Sequence, residues 1–303
     1  FFFLKYRHEI VSSSPIKTTR PSPLIKKKFQ DPNTTVCGKS RARVDLGNID
    51  TLWFNTGTLC NLTCRNCYIL SSPKNDSLVY LKLTEVEAFI KQLTTSKNET
   101  REIGFTGGEP FMNPYFVDML NLCLSKNFKV LVLTNAMKPM MRKSKELISL
   151  REKFCSSMKI RVSLDHYSKK KHEEERGLNS WDPAIEGLKW LCSKKFKVCV
   201  AGRLRWSENE RKMRTGFFNL FEQLGLDIDA HNASQLVLFP EMDEQVDVPE
   251  ITQDCWQKLS VNPSDVMCAN SRMILRRKGS SGPSVVPCTL LADDPQFDLG
   301  GTL

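Results

Sequence analysis

Between residues 52 and 239, short apolar segments alternate with longer amphipathic ones, and this alternation restricts the fold more than any other feature. Six segments are apolar on both faces, which predicts buried strands. They are residues 52–56, 103–105, 129–133, 159–164, 197–203 and 235–239. Strands of this kind separated by helices predict an α/β fold with a parallel sheet. The pattern leaves two architectures open, an open barrel and a doubly wound sheet.

The amphipathic segments predict five helices, at 84–93, 114–126, 143–154, 183–194 and 210–224. In the first, Thr84 is placed to cap the N-terminus, with Glu87 at the capping-box position. Two histidines, His166 and His172, fall in or beside a stretch crowded with Lys and Glu, so we expect both to be exposed to solvent.

The net charge of +10 is concentrated at the N-terminus. Residues 1–44 hold ten Lys or Arg and two acids, a charge of +8 in a segment rich in Ser, Thr and Pro. This composition predicts a tail over 1–46 that is an organelle (plastid or mitochondrial) transit peptide, a disordered segment or a nucleic-acid-binding arm. If the tail is not a leader, we expect a cytoplasmic protein. The predicted division is this tail, a barrel at 47–240 and a small irregular extension at 241–303.

Three of the eleven cysteines form a compact motif directly after the first predicted strand. Cys60, Cys64 and Cys67 have the spacing C-x3-C-x2-C. Three thiolates can hold one [4Fe–4S] cluster and leave its fourth iron without a protein ligand. The alternative is a structural zinc ion, which needs a fourth ligand. With the basic tail, that alternative describes a zinc-stabilised nucleic-acid-binding protein. Cys123 and Cys199 lie in apolar runs and are expected to be buried.

A second motif, Thr106-Gly107-Gly108-Glu109-Pro110, follows the second predicted strand. The carboxyl end of a barrel strand is where α/β barrels place their active sites. The two motifs in this order resemble the radical S-adenosylmethionine (radical SAM) superfamily, over about residues 50–240. This resemblance implies a partial (β/α)6, TIM-like barrel and selects it over the doubly wound sheet.

The resemblance also implies an activity and its cofactors, a [4Fe–4S] cluster and S-adenosylmethionine. One electron from the reduced cluster would cleave the S–C5′ bond, and the 5′-deoxyadenosyl radical would abstract hydrogen from a substrate. We expect an electron donor of the flavodoxin or ferredoxin type, a small-molecule or peptide substrate and no membrane partner. A relative that binds the cluster without turning over is the remaining alternative.

The resemblance assigns cofactor contacts to individual residues. Gly107, Gly108 and Glu109 resemble the segment that meets the amino group of the methionine moiety, so Glu109 is expected to orient this group and not to act as an acid or base. Later strand ends carry residues that resemble the ribose and carboxylate contacts, namely Thr134, Asn135, Ser163 and Asp165. Their alternative role is to cap the following helices. Arg203 is expected either to neutralise the methionine carboxylate or to form an ion pair.

Two regions depart from the family pattern. The position before the third cysteine, often aromatic in the family, is Asn66, and Tyr68 follows the cysteine instead. Cys268, Gly282 and Cys288 resemble the start of an auxiliary-cluster domain, but no cysteine follows Cys288. These two cysteines are therefore either ligands of an auxiliary iron–sulfur cluster in a longer chain or ordinary cysteines.

Overall fold

The computed structural model describes residues 28–95, 100–241, 247–290, 292 and 294–303. It divides the chain into two compact units. The sheet unit comprises Ile49–Pro240 and Ser271–Leu303, and the small unit comprises residues before Ile49 together with Glu241–Asn270. In the described residues, no helix is long and apolar enough to cross a membrane.

Within the described residues of the sheet unit, eight strands form one sheet. They are β1 (Thr51–Asn55), β2 (Glu102–Thr106), β3 (Lys129–Thr134), β4 (Met158–Ser163), β5 (Lys197–Leu204), β6 (Leu236–Pro240), β7 (Ser271–Leu275) and β8 (Ser284–Val286). The first six begin and end within two residues of the predicted strands. Their spatial order is β6-β5-β4-β3-β2-β1-β7-β8.

The strand order confirms the open barrel. Strands β1 to β6 are parallel, and each lies beside the next one in the chain. A doubly wound sheet would instead reverse its order at an internal point. The sheet does not close, because β6 is an edge and β8 is the other edge.

The helices of the described residues include all five that the sequence predicts. They are α1 (Leu83–Thr95), α2 (Phe116–Ser125), α3 (Lys138–Met141), α4 (Ser144–Phe154), α5 (Lys169–Arg176), α6 (Trp181–Ser193), α7 (Glu210–Leu224), α8 (Asp254–Lys258) and α9 (Met267–Asn270). The predicted capping box is wrong by two residues. Helix α1 begins at Leu83, and the Glu85 carboxylate accepts a hydrogen bond from the Lys82 N–H at 2.8 Å.

The two faces of the sheet have different partners. On the outer face, side chains such as Phe54 and Phe105, with ring centroids 5.6 Å apart, join one core with the apolar faces of the helices. On the inner face, Trp53 packs with residues of β3, β7 and β8 in a second, smaller cluster. The outer core therefore fixes which residues of each strand face inward, because side chains alternate along a strand.

The division of the chain differs from the predicted one at both ends. Residues 271–303 do not form an irregular extension, because β7 pairs with β1 in parallel and β8 pairs with β7. Residues 28–48 do not form a free tail. In the small unit, the buried Glu250 carboxylate pairs with Arg41 and accepts the N–H groups of Phe29 and Val36. The predicted transit peptide falls mainly on residues 1–27, outside the described residues.

Gly104 provides a test of the inner cluster. A Cβ atom at Gly104 would overlap the indole ring of its register partner, Trp53. We expect Gly104→Ala to lower the free energy of unfolding by about 1–3 kcal/mol, the usual effect of overpacking. Chemical denaturation measures this, with Gly282→Ala as the control because nothing lies within 4 Å of a Cβ there. Equal stability of the two variants would contradict this packing.

Candidate iron–sulfur site

Two loops meet at the carboxyl ends of β1 and β2. The Gly108 N–H donates to the Gly57 carbonyl at 2.8 Å, and the Glu109 N–H donates to the Leu59 carbonyl at 3.1 Å. Side chains are excluded at both glycines: a Cβ at Gly107 would lie 2.6 Å from the Gly57 oxygen, and one at Gly108 would overlap Leu59. The glycines thus allow the backbone that leads into Cys60 to approach closely.

The cysteine loop, residues 56–72, places Cys60 in a buried position and Cys64 and Cys67 in half-buried ones. Backbone N–H groups reach two of the sulfurs, Leu62 N at 3.4 Å from Cys60 Sγ and Ser71 N at 3.3 Å from Cys67 Sγ. Burial raises the pKa of Cys60 to about 12 and also raises that of Cys64. Cys64 further raises the pKa of Cys60, and Cys67 that of Cys64, so the three sulfurs are electrostatic neighbours.

These residues fit a [4Fe–4S] cluster by their chemistry. Three free thiols come from one short loop, amide N–H groups point at two of them, and such hydrogen bonds to sulfur are common at iron–sulfur clusters. As they stand, no three His, Cys, Asp or Glu side chains of the described residues are arranged to hold a metal ion. The cysteine side chains therefore do not yet have the arrangement of a metal site, and we expect their final placement to be coupled to metal binding.

Glu109 lies beside the cysteine loop and is 1% exposed. Its carboxylate accepts hydrogen bonds from the Thr134 hydroxyl at 2.8 Å, the Asn135 N–H at 2.9 Å and the Phe111 N–H at 3.2 Å. Burial raises the pKa of this carboxyl to about 7, even though the three donors favour the ionised form. Glu109 is therefore a buried acid with a fixed orientation, held by the end of β3.

Thr134 and Asn135 bind protein groups in this structure. Thr134 Oγ1 accepts from the Ala136 N–H at 3.0 Å, and Asn135 Oδ1 accepts from the Met137 N–H at 3.1 Å. These bonds form turns before α3, whose N-cap residue Met137 makes no side-chain cap bond, so neither residue caps that helix. The Asn135 amide also donates to Asn61 Oδ1 at 2.9 Å. Both residues thus connect β3 to Glu109 or to the cysteine loop.

Asp165 forms a buried charge cluster just beyond the end of β4. Its carboxylate accepts from Arg176 Nε at 2.7 Å and Arg176 Nη2 at 3.2 Å, and from Arg203 Nε at 3.3 Å. Burial alone would raise the pKa of Asp165, but the two guanidinium groups outweigh it and hold the pKa below its ordinary value. Arg203 also donates to the Asn66 carbonyl at 3.1 Å. Ser163 is half-buried at the end of β4.

Helix α5 holds the middle of the cysteine loop. The Glu175 carboxylate, whose side chain is fully buried, accepts from the Asn66 N–H at 2.8 Å and from Asn66 Nδ2 at 2.9 Å. It also pairs with Arg205 at 2.7 Å, and the Glu175 carbonyl accepts from the Arg65 N–H at 2.8 Å. The unusual Asn66 is therefore a hydrogen-bonding partner of α5.

The prediction of exposed histidines is wrong. His166 is 1% exposed, and its ring centroid lies 4.0 Å from that of Tyr167. His172 is fully buried, and its ring meets Trp181 edge to face at 5.4 Å. Burial lowers the pKa of both imidazoles to about 4, so both are neutral near pH 7. The sequence contains one indication of a buried helix face here, the i, i+3, i+4 spacing of His172, Glu175 and Arg176. Because all three residues are polar, this spacing does not predict burial.

Two pairs of the other cysteines have roles predicted from the sequence. Cys123 and Cys199 are buried, which confirms their prediction as core residues. Cys268 is exposed in α9 of the small unit, whereas Cys288 is half-buried in the sheet unit. Ligation of an auxiliary cluster by these two cysteines stays a prediction.

Comparisons with known proteins agree with this geometry. A sequence model of the radical SAM superfamily matches residues 54–204, about half of the chain. The antilisterial bacteriocin subtilosin biosynthesis protein AlbA of Bacillus subtilis (strain 168) is 33% identical over 118 residues, which are 39% of this chain and 25% of AlbA. The match therefore spans a quarter of that relative.

Solved structures with the same fold include SuiB of Streptococcus suis bound to S-adenosylmethionine, with a TM-score of 0.59 at 14% identity. The match covers 84% of this chain and 64% of SuiB, less than two thirds of its length. The structure of anSMEcpe with bound AdoMet gives a TM-score of 0.57 at 17% identity, covering 82% of this chain and 74% of anSMEcpe. At these identities the likeness concerns the fold, which is a TIM-like partial barrel.

Removing the charge of Asp165 tests the buried cluster. Asp165→Asn leaves the guanidinium of Arg176, whose side chain is 11% exposed, without its charge partner. We expect the free energy of unfolding to fall by about 3–5 kcal/mol. The control is Asp182→Asn, which breaks an exposed pair with Lys169 and is expected to cost about 1 kcal/mol or less. Similar losses in the two variants, measured by urea denaturation, would show that the Asp165 cluster is not a buried network.

The raised pKa of Glu109 predicts a pH dependence of stability. The folded pKa of about 7 exceeds the ordinary value of 4.5, so the favourable contribution is complete below pH 4.5 and is lost as the pH rises through about 7. Glu109→Gln cannot titrate. We expect the stability of the metal-free parent chain relative to this variant to fall by about 3 kcal/mol across that range. Denaturation at several pH values measures it, and a constant difference would rule out the raised pKa.

Proposed function

This chain belongs to the radical SAM superfamily, and we propose that it reductively cleaves S-adenosylmethionine and uses the product radical to abstract hydrogen from a substrate. The observation that carries the proposal is the junction between the cysteine loop and Gly107–Glu109. Two backbone hydrogen bonds and the two glycines, Gly107 and Gly108, hold the cysteine loop beside Glu109. The proposed ligands of the cluster thereby lie next to the proposed ligand of the amino group. Two motifs that are 39 residues apart in the chain, from Cys67 to Thr106, thereby form one site.

Cys60, Cys64 and Cys67 would hold the [4Fe–4S] cluster. When bound, the cluster supplies the electron that breaks the S–C5′ bond of S-adenosylmethionine and so yields methionine and the 5′-deoxyadenosyl radical. The chain contributes the thiolates and the N–H groups that reach Cys60 and Cys67. Burial of Cys60 and Cys64 disfavours their free thiolates, so ligation has to compensate that cost.

Glu109 would orient the ammonium group of the methionine moiety. Its carboxylate is held by Thr134, Asn135 and Phe111, so it cannot swing away when a ligand binds. A cation beside a buried carboxylate lowers the pKa of that carboxyl, so ammonium binding would favour the ionised form of Glu109 near neutral pH. This is the role of an orienting ligand, and no proton transfer is required of it.

The polar residues at the ends of β4 and β5 would act in two ways. Asp165 and Arg203 bind one another, and Arg203 also binds the Asn66 carbonyl, so we assign them to holding the cysteine loop. Ser163 makes no such bond and stays the candidate for a nucleoside contact at the end of β4. Thr134 and Asn135 would act on the cofactor indirectly, because both hold Glu109 in place and Asn135 also holds Asn61.

We assign the chain a peptide substrate and a flavodoxin- or ferredoxin-type electron donor. The substrate class rests on AlbA, a bacteriocin biosynthesis protein, and on SuiB, which has also been solved bound to precursor peptide SuiA. The donor follows from the need to reduce the cluster by one electron. An auxiliary cluster at Cys268 and Cys288 and an organelle location belong to the same proposal, and full-length sequence would test both.

The proposal is tested by anaerobic reconstitution with iron and sulfide, followed by dithionite and S-adenosylmethionine. We expect a brown protein that forms 5′-deoxyadenosine, and Cys64→Ala should lose both the cluster and the product. Cys192 is a half-buried cysteine of α6 outside the motif, so Cys192→Ala is the matched control and should keep both the cluster and the product. Product formed by Cys64→Ala would overturn the ligand assignment.

The same preparation separates the alternatives. A colourless protein containing stoichiometric zinc would support the zinc-stabilised nucleic-acid-binding protein. A brown protein that forms no 5′-deoxyadenosine would be a degenerate relative. Both results would contradict the proposed activity.

A further inference from the structure

The inner face of the sheet carries an arginine in the middle of β4. Ile160 and Val162 belong to the outer core, so Arg161 between them faces the opposite side, among inner-face neighbours on adjoining strands. The register places Arg161 between Leu133 of β3 and Cys199 of β5. Arg161 is half-buried and lies deeper in the barrel than the strand ends that meet the cysteine loop.

Arg161 has no hydrogen-bonding or ion-pair partner among the described residues. Its Nε atom is buried and makes no hydrogen bond, and its side chain forms no ion pair within 4.0 Å. A buried unsatisfied donor costs about 1–3 kcal/mol, and more when the group is charged. Such a group on an inner barrel face is therefore expected to have a partner in the functional state.

A second unsatisfied donor lies on the same face of the sheet, two strands away from β3. Asn55 is fully buried at the end of β1, and its Oδ1 atom accepts the Gly57 N–H at 3.0 Å, which fixes the amide orientation. Its Nδ2 atom is then left without a partner. Asn55 pairs in register with Thr106 and faces inward like Trp53, two residues before it.

The charge on the inner face is mostly positive. At the amino ends of the strands, Lys129, Lys159 and Lys197 share this face with one acid, Glu102. Burial raises the pKa of Glu102, and Arg161 is the foremost of the cations that oppose this shift. Glu102 lies beyond the 4.0 Å ion-pair distance from Arg161, so the two charges attract one another without forming a direct pair. An anion near the amino ends of these strands would therefore meet a locally positive potential.

The guanidinium group of Arg161 selects the kind of anion. A guanidinium binds a carboxylate through two parallel N–H groups, and its Nε edge supplies one of them. The chain itself shows this arrangement at Arg176, whose Nε and Nη2 reach the two oxygens of Asp165 at 2.7 and 3.2 Å. Arg161 makes no such pair in this structure, and its Nε atom is a buried donor without a hydrogen bond.

We propose that Arg161 is a substrate-binding residue that receives a carboxylate of the substrate inside the barrel, with the Asn55 amide as a second polar contact. The assignment rests on the proposed function, because it makes the inner face the substrate site. On a peptide, the carboxylate is a Glu or Asp side chain, and on a small molecule it is a free acid. The shared chemistry is the carboxylate.

The test is labelling of arginine with phenylglyoxal, followed by peptide mapping of the cluster-reconstituted protein. The probes are acetyl-Ala-Glu-Ala-amide, its Gln counterpart, glutarate and inorganic phosphate. We expect Arg161 to react, and the Glu peptide or glutarate to slow its reaction saturably while the Gln peptide does not. Arg211, exposed on α7, is the internal control and should react equally under all conditions.

The outcomes separate the sources of the anion. Protection by the Glu peptide supports a peptide carboxylate, and protection by glutarate alone supports a small acid. An unreactive Arg161, protection by phosphate only or no protection would overturn the proposal. In Arg161→Gln, we expect affinity for the protecting carboxylate to fall about tenfold or more, and unchanged affinity would likewise overturn it. Failure of the proposed function is detected separately, as absence of 5′-deoxyadenosine from the wild-type protein given S-adenosylmethionine and dithionite alone.

Discussion

The close backbone contact between Gly57–Leu59 and Gly107–Glu109 is the constraint on which the candidate site depends. Parallel strands β1 and β2 end at the same edge of the sheet, which brings the two loops near each other. The proximity of the strand ends alone does not allow the two loops to make contact, because any side chain at Gly108 would overlap the backbone of Leu59. With glycine there, two hydrogen bonds form, and the position of Glu109 becomes tied to the position of Cys60.

The cysteine loop is held on its other side by charges. Glu175 of α5 binds both the backbone and the side chain of Asn66, and Arg203 of β5 binds the Asn66 carbonyl. Asp165 and Arg176 complete this cluster. Because each buried charge has its partner on another element, the ends of β4 and β5 and helix α5 are interdependent, and the loss of one member leaves another uncompensated. Protein contacts thus fix the position of the loop at Asn66, whereas the final placement of the cysteine side chains is expected to be coupled to metal binding.

Much of the fold could be predicted because its signals are local. Strands that are apolar on both faces and helices with one apolar face identify themselves over a few residues, and the end of β1 next to Cys60 followed from the same pattern. Helix α5 could not be predicted in this way, since Glu175 is stabilised in the core by Asn66 and Arg205, which are remote in sequence. The β1–β7 pairing is equally non-local, so residues 271–275 gave no sign of joining the sheet.

Strand β1 is internal to the sheet, between β2 and β7. During synthesis β2 emerges soon after β1, but β7 follows only after a further 165 residues, counted from Thr106 to Ser271. Until then β1 presents an unpaired backbone edge, and such edges recruit other strands. The nascent chain therefore carries its cysteine loop on an aggregation-prone edge strand. Pairing with β7 removes this edge, so the strand that leads into the cysteine loop reaches its final environment only after the C-terminal strands have been made.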